Sequence, residues 1–292
     1  MASPDRVLVV NRPLLAEIEK GGSPVSNSNP LPISDAGGAL TVDGSVTVNN
    51  LLSEFRTEVA KGNVAGMIAV NKFGRNPDVD VGTEDIWSQG GTWVAPTAAC
   101  VHAIVSSNAA DASAGTGART VSVNGLNGSF VDTTETVTLN GTKPVNTVNS
   151  FVIIHRMIVL TAGTGGTNAG TITATAASGG TISVAIVIGK AQTQLGIYQV
   201  PVGYTAYLYR FVGSINGGAN SSLDLELFVK PFGGVFNLKG TVMLSMTGAS
   251  SMAREYTCPL VAAAKSIIKL VATSDTNNVN TVGSFDLILV AT

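Results

Sequence analysis

Charge is what this chain has least of. Asp, Glu, Lys and Arg together make up 12% of its 292 residues, about half the usual share. A surface so poor in charge suits a subunit held in an assembly better than a freely diffusing protein. The balance is nearly even, with a net charge of -2, and the basic residues are scattered singly. That leaves no electrostatic footprint for a nucleic acid. Long apolar runs are missing too. The longest, Ile182–Ile188, is interrupted by Ser183 and falls far short of the ~20 residues of a membrane-spanning helix. No basic segment followed by an apolar one opens the chain, so no secretory signal is expected. The two cysteines, Cys100 and Cys258, lie far apart. They could pair across two sheets, but two buried thiols in a protein made in a reducing cytoplasm is the preferred reading.

Motifs that carry chemistry are also scarce. His102 and His155 are the only histidines, each in an apolar, strand-like run, and both are expected to be satisfied core or interface side chains. There is no G-x-S-x-G elbow and no H-E-x-x-H pair. Gly163–Gly170, GTGGTNAG, lacks the order of a phosphate-binding loop and precedes no helix, so it reads as a loop between strands. Asp78, Asp80, Glu84 and Asp85 form the densest acidic cluster. A calcium loop would need a further oxygen ligand where Gly82 stands and a bidentate Glu beyond it, so this cluster reads as a solvated or partner-facing loop. Asp132, Glu135, Asp224 and Glu226 have no spacing that favours glycoside hydrolysis. No enzyme activity, cofactor or metal is expected.

Apolar residues, at 45%, suffice for a sizeable core, and Gly, Ser, Thr and Asn fill the place of charge, as suits tight turns and covered strand faces. The chain changes character at Gly82–Thr92, GTEDIWSQGGT. Trp87 and Trp93, the only tryptophans, flank Gly90-Gly91 there and are expected to plug one end of a β-domain.

Ahead of that seam lies a loose arm. Asn11-Arg12-Pro13 opens a short helix carrying Leu14, Leu15 and Ile18 and closed by Gly21-Gly22. A proline-rich linker follows over 23–38. Leu40–Val48 alternates about Asp43-Gly44, the pattern of a hairpin. Asn50 caps a second helix with Leu51, Leu52, Phe55 and Val59 on one face, closed by Gly62. Such elements are marginal alone, and these apolar faces are expected to anchor the arm to a neighbouring molecule.

From Ala98 onward strand signals recur: Cys100–Ser106, Arg119–Val123, Thr133–Leu139, Ser150–Leu160, Gly170–Thr175, Thr181–Ile188, Leu195–Val200, Ala206–Ile215, Ser222–Val229, Val235–Met246, Ser266–Ala272 and Ser284–Val290. Asn124-Gly125, Asn127-Gly128, Asn140-Gly141 and Asn216-Gly217 read as tight turns, and Pro259–Ala264 as the one stretch suited to a helical turn. The expected fold is mainly β: an antiparallel β-sandwich, jelly-roll-like, preceded by an extended N-terminal arm with two short helices and a hairpin. The arm covers 1–85 and the β-sandwich domain 86–292, as one sandwich or two small tandem ones. Tyr198, Tyr204, Tyr207 and Tyr209 read as surface aromatics; Tyr207 and Tyr209 share a strand face by period two, with Tyr204 just before them. A core or interface role is the main reading of these rings; a glycan-facing surface is the other.

Asn71-Lys72-Phe73-Gly74-Arg75-Asn76, then Gly82–Trp87 and Gly90-Gly91-Thr92, resemble segments of virion structural proteins of tailed bacteriophages. The likeness continues through Ala118–Val121, Glu135–Thr142, Phe151–Met157, Lys230–Phe236 and Ser284–Val290. It covers about 70–292, with a looser likeness at Ser34–Gly38. It implies a non-enzymatic building block of the virion, assembled in the host cytoplasm, with its arm fastened to a neighbour by strand addition and helix docking. The expected partners are itself, as a homotrimer or in copies set by particle symmetry, and other virion proteins, with neither nucleic acid nor membrane. Head decoration or a head fibre is the leading placement. A tail, baseplate or tail-fibre component that binds host surface glycan is the alternative.

Overall fold

The computed structural model describes residues 19–20, 23–24, 53–217, 220–248 and 250–292. The chain divides into Met1–Leu51 and Leu52–Thr292. In the first unit, β1 (Glu19–Lys20) and β2 (Ser23–Pro24) pair antiparallel, so the helix read over Leu14–Ile18 does not extend through Lys20. Leu14, Leu15, Ile18, the Leu40–Val48 hairpin, Leu51 and Leu52 lie outside the described residues.

The second unit opens with α1 (Ser53–Ala60). Gly62, at φ 78°, ends it, its N–H donating to Val59 O, a left-handed stop that glycine adopts without a Cβ clash. Strands follow: β3 (Met67–Val79), β4 (Gly82–Asp85), β5 (His102–Ser106), β6 (Ala118–Asn127), β7 (Asp132–Thr138), β8 (Val145–Asn146) and β9 (Phe151–Ala162). After them come β10 (Ile172–Ala176), β11 (Ile182–Ile186), β12 (Ile197–Gln199), β13 (Tyr204–Asn216), β14 (Ser222–Lys230), β15 (Asn237–Ser245), β16 (Ser251–Ala262), β17 (Ile267–Ser274) and β18 (Val279–Ala291). The architecture is mainly β and every ladder between these strands is antiparallel.

Apart from β4, the described strands of the second unit form four sheets, ordered β11-β10-β5-β8, β7-β6-β9, β12-β17-β14-β15 and β16-β13-β18-β3. The sheets share cores in pairs. The first two sheets, joined by Trp87, Trp93 and Leu195, surround Ile104, Val121, Phe151, Met157 and Ile172. The last two surround Phe211, Leu225, Leu227, Leu270, Phe285 and Leu287. Each core follows from period-two patterning, because alternate residues of a strand point to one face. On β14, Leu223, Leu225, Leu227 and Val229 are buried, while Asp224 and Glu226 are less so. Four sheets and two cores thus stand where one jelly roll would have two sheets and one core.

The two cores are not arranged in tandem. Residues 67–86 belong with the C-terminal half, since β3 pairs along its length with β18 and Val79 and Ile86 enter the Phe211–Phe285 core. The stretch from Trp87 to Ile197 builds the other core and is inserted between them. Its entry and exit meet: Trp87 bridges Leu195, Gly196 N–H donates to Ile86 O at 2.8 Å, and Ile86 N–H donates to Leu270 O at 3.0 Å. The domain boundary expected at residue 85 therefore moves back to Leu51–Leu52, with Met67–Val79 an edge strand of a sheet. Sequence patterning missed β3 because its inward positions hold Lys72, Gly74 and Asn76.

Three local expectations are corrected. Asn124-Gly125 lies inside β6, at an irregularity in its pairing with β9, instead of in a turn. Pro259 sits in β16, where the ladder to β13 is interrupted and no N–H is required. Cys258 is exposed and Cys100 half-buried, both free, so neither is a buried thiol.

Candidate functional site

The acidic residues near the seam are used as clasps. The Glu84 carboxylate accepts from Gly91 N at 2.6 Å and Asn76 Nδ2 at 2.8 Å, and from Asp80 N at 3.2 Å. Asp85 accepts from Trp93 N at 2.8 Å and pairs with Lys269 Nζ at 2.6 Å, tying the seam to β17. Asp78 and Asp80 remain exposed. Both tryptophans lie in the core, with Trp93 Nε1 donating to Ser183 O at 2.8 Å.

The end of the glycine-rich Gly163–Gly170 loop helps hold a carboxyl group, but it is that of a side chain, Asp111. Asp111 is fully buried, and its Oδ1 accepts from Ala118 N at 2.7 Å and Ala169 N at 2.8 Å. Its Oδ2 accepts from Ser106 Oγ at 2.6 Å and Gly170 N at 2.9 Å. Four donors converge on one carboxylate. Asp111→Asn would turn an acceptor oxygen into a donor amide facing two of them, so a loss of roughly 3 kcal/mol or more in unfolding free energy is expected, read from urea denaturation. A change under about 1 kcal/mol would mean the loop is not held this way.

The two histidines differ. His102 is satisfied: Nδ1 meets Cys100 O at 3.1 Å and Nε2 meets Ser183 Oγ at 2.9 Å, and burial lowers its pKa. His155 is not satisfied, contrary to expectation; it is 6% exposed and its Nε2 has no hydrogen-bond partner among the described residues. It lines a cavity of about 420 Å³ at the junction of the two sheet pairs, together with Lys72, Arg156, Tyr198, Asn124 and Asp132. Lys72, 3% exposed, donates from Nζ to His155 O at 2.6 Å, and Arg156 Nη2 donates to Asn71 O at 2.7 Å. The Tyr198 and His155 rings lie 4.4 Å apart.

Electrostatics single this cavity out. Burial, then the Arg156 charge, lower the Lys72 pKa to about 7. Burial, then the charges of Lys72 and Arg156, hold His155 well below the usual imidazole range. Burial also lowers Arg156, raises Asp132 at the mouth, and pushes Tyr198 above the ordinary phenol range. Neither Lys72 nor Arg156 has an ion-pair partner among the described residues. Tyr198, expected on the surface, is buried; sequence reading missed Lys72, for which the available signal was a lysine in register with the inward Gly74 and Asn76.

The residues expected to bind are distributed as follows. Of the arm anchors, Val59 is 2% exposed and packed within its own unit, whereas Phe55 is 41% exposed. Tyr204, Tyr207 and Tyr209 are all half-buried. Tyr204 packs against the core, and the Arg56 guanidinium of α1 lies 4.5 Å over the Tyr209 ring. Asp132 and Glu135 on β7 lie in a different sheet from Asp224 and Glu226 on β14, and Glu135 holds the N–H groups of Val148 and Asn149.

No family model and no curated protein matches the chain. Among solved structures it is similar to the VP2 subviral particle of infectious bursal disease virus, at 11% identity over 82% of this chain and 78% of that one, with a TM-score of 0.21. The structure of the Gt strain of the same virus is similar at 10% identity over 82% and 78%, with a TM-score of 0.20. Likeness at that level carries no argument about fold or function.

Proposed function

We propose that this chain is a non-enzymatic structural component of a tailed-phage virion. Its arm, residues 1–51, fastens it to a neighbouring virion protein, and its β-unit stands on the outside of the head or on a fibre attached there. We read each pair of sheets as a small sandwich. The observation that supports this most is free apolar surface on a charge-poor chain. Edge strand β16 is exposed along most of its length, including Met252 and Val261, and Leu238 and Met243 of edge strand β15 are exposed beside it. Phe232 and Val235, in the loop ahead of β15, are exposed as well. Unpaired edges of this kind are ordinarily covered or charged in a protein that works alone. The resemblance over residues 70–292 points the same way.

Quantitative mass spectrometry of purified particles is expected to find the chain at a fixed copy number that is a multiple of three. Recovery only in the unassembled fraction would overturn the proposal. Labelling the chain in particle images separates the head from the alternative placements on tail, baseplate or tail fibre.

A further inference from the structure

The cavity at the junction of the sheet pairs gathers three cation-forming side chains, a phenol and a carboxylate. Lys72 comes from β3, His155 and Arg156 from β9, Tyr198 from β12 and Asp132 from β7. A lone water could give His155 Nε2 a partner, yet it would leave the charges of Lys72 and Arg156 facing one another. Asp132, exposed at the mouth, is the single carboxylate lining the space among the described residues. Once the Lys72 amine is charged, two cations face one carboxylate, which leaves room for one negative charge and favours a monoanion over phosphate. The volume, about 420 Å³, lies near the lower end of the range for small-ligand sites and holds one sugar ring with a few waters. The Asn124 amide, which donates to Ser122 Oγ and accepts from Thr134 Oγ1, keeps one N–H for a ring hydroxyl, while Ile158 and Leu289 offer apolar wall to a sugar C–H face.

We propose that this cavity binds a monocarboxylated sugar, a hexuronate, with its carboxylate directed at Lys72, Arg156 and the free Nε2 of His155. The site is independent of where the chain sits in a particle. Titration of the full chain with glucuronate at pH 7 is expected to show saturable binding at millimolar concentration. Glucose and the uncharged methyl ester of glucuronate should bind at least about tenfold more weakly, an ordinary consequence of losing a charge-assisted contact.

Asp132→Asn, at an exposed position, removes a like charge from the mouth and should tighten glucuronate binding several-fold. Arg156→Gln should weaken it about tenfold or more. Arg156 and His155 lie beside the Lys72 amine, Tyr198 and Asp132 line the same cavity, and Tyr204 acts on Tyr198. Bound carboxylate should therefore recharge the amine, and calorimetry at pH 8 in buffers of different ionisation heat should show proton uptake that Lys72→Met abolishes. An oligouronate binding tighter than the monomer would assign the ligand to a glycan; equal affinity would assign it to the free sugar acid. Absence of saturation with glucuronate, equal binding of glucose, or unchanged affinity in Asp132→Asn would each overturn the proposal.

Discussion

Gly74→Ala is expected to abolish the folded state, while Gly91→Ala is tolerated. A Cβ at Gly74 would overlap Gly196 N and Ile86 O, the two atoms whose hydrogen bond closes the entry and exit of the inserted half. Both are backbone atoms of residues fixed on either side, so no side chain can swing away. The loss should exceed about 4 kcal/mol, in the tail reserved for overpacking and broken buried networks. That approaches the whole stability of a typical domain, about 5–15 kcal/mol. Gly91 has φ 64° and open space around its Cβ position, so alanine there costs only the left-handed backbone, about 1–2 kcal/mol. Soluble yield and urea midpoints of the two variants test this. A Gly74→Ala protein within about 1 kcal/mol of the parent would show that the junction is not built as described.

Between pH 7 and about 9 the folded protein is expected to become more stable, and Lys72 is the reason. Its pKa falls from 10.5 to about 7 on folding, so across that interval the unfolded chain binds the extra proton and stability rises with pH. The slope is at most ~1.4 kcal/mol per pH unit, giving on the order of 2 kcal/mol between pH 7 and 9. His155 acts on the acid side in the same sense: below its ordinary value of 6.5 the unfolded imidazole takes up a proton that the folded one resists. Tyr198 closes the window. Its folded pKa is raised, so above 10 the unfolded phenol ionises first and stability falls again. Lys72→Met should flatten the rise, at the loss of one hydrogen bond to His155 O, about 1 kcal/mol. Denaturation series at several pH values on both proteins would check it; a flat parent profile, or a slope kept in the variant, would contradict the buried amine.

How much of this could be read beforehand depended on which faces are covered. The leucines of β14 alternate with Asp224 and Glu226 because one face is core and the other is not, and such strands were legible. β16 was not, since SMAREYTCPLVA is exposed on both faces and nothing selects an apolar register. On β13 the inward set runs Ala206, Leu208 and then Phe211, Gly213, Ile215; a bulge between Leu208 and Arg210 shifts the phase. Strict alternation from Tyr207 would miss that shift. The binding candidates fared similarly. Phe55 and Val59 share a helical face in sequence, yet only Val59 is buried. Asp111 and Lys72 stay hidden to pattern reading because their partners, Ala169, Gly170 and His155 O, are backbone groups brought near by the fold alone.

The arm carries the functional account, and its removal is the decisive measurement. The cut belongs at Leu51, since Val59 of α1 is packed into the β-unit. A chain lacking residues 1–51 is predicted to keep the parent's melting temperature and to be missing from purified particles when it is the sole copy supplied. Incorporation of that truncated chain at the normal copy number would contradict the account.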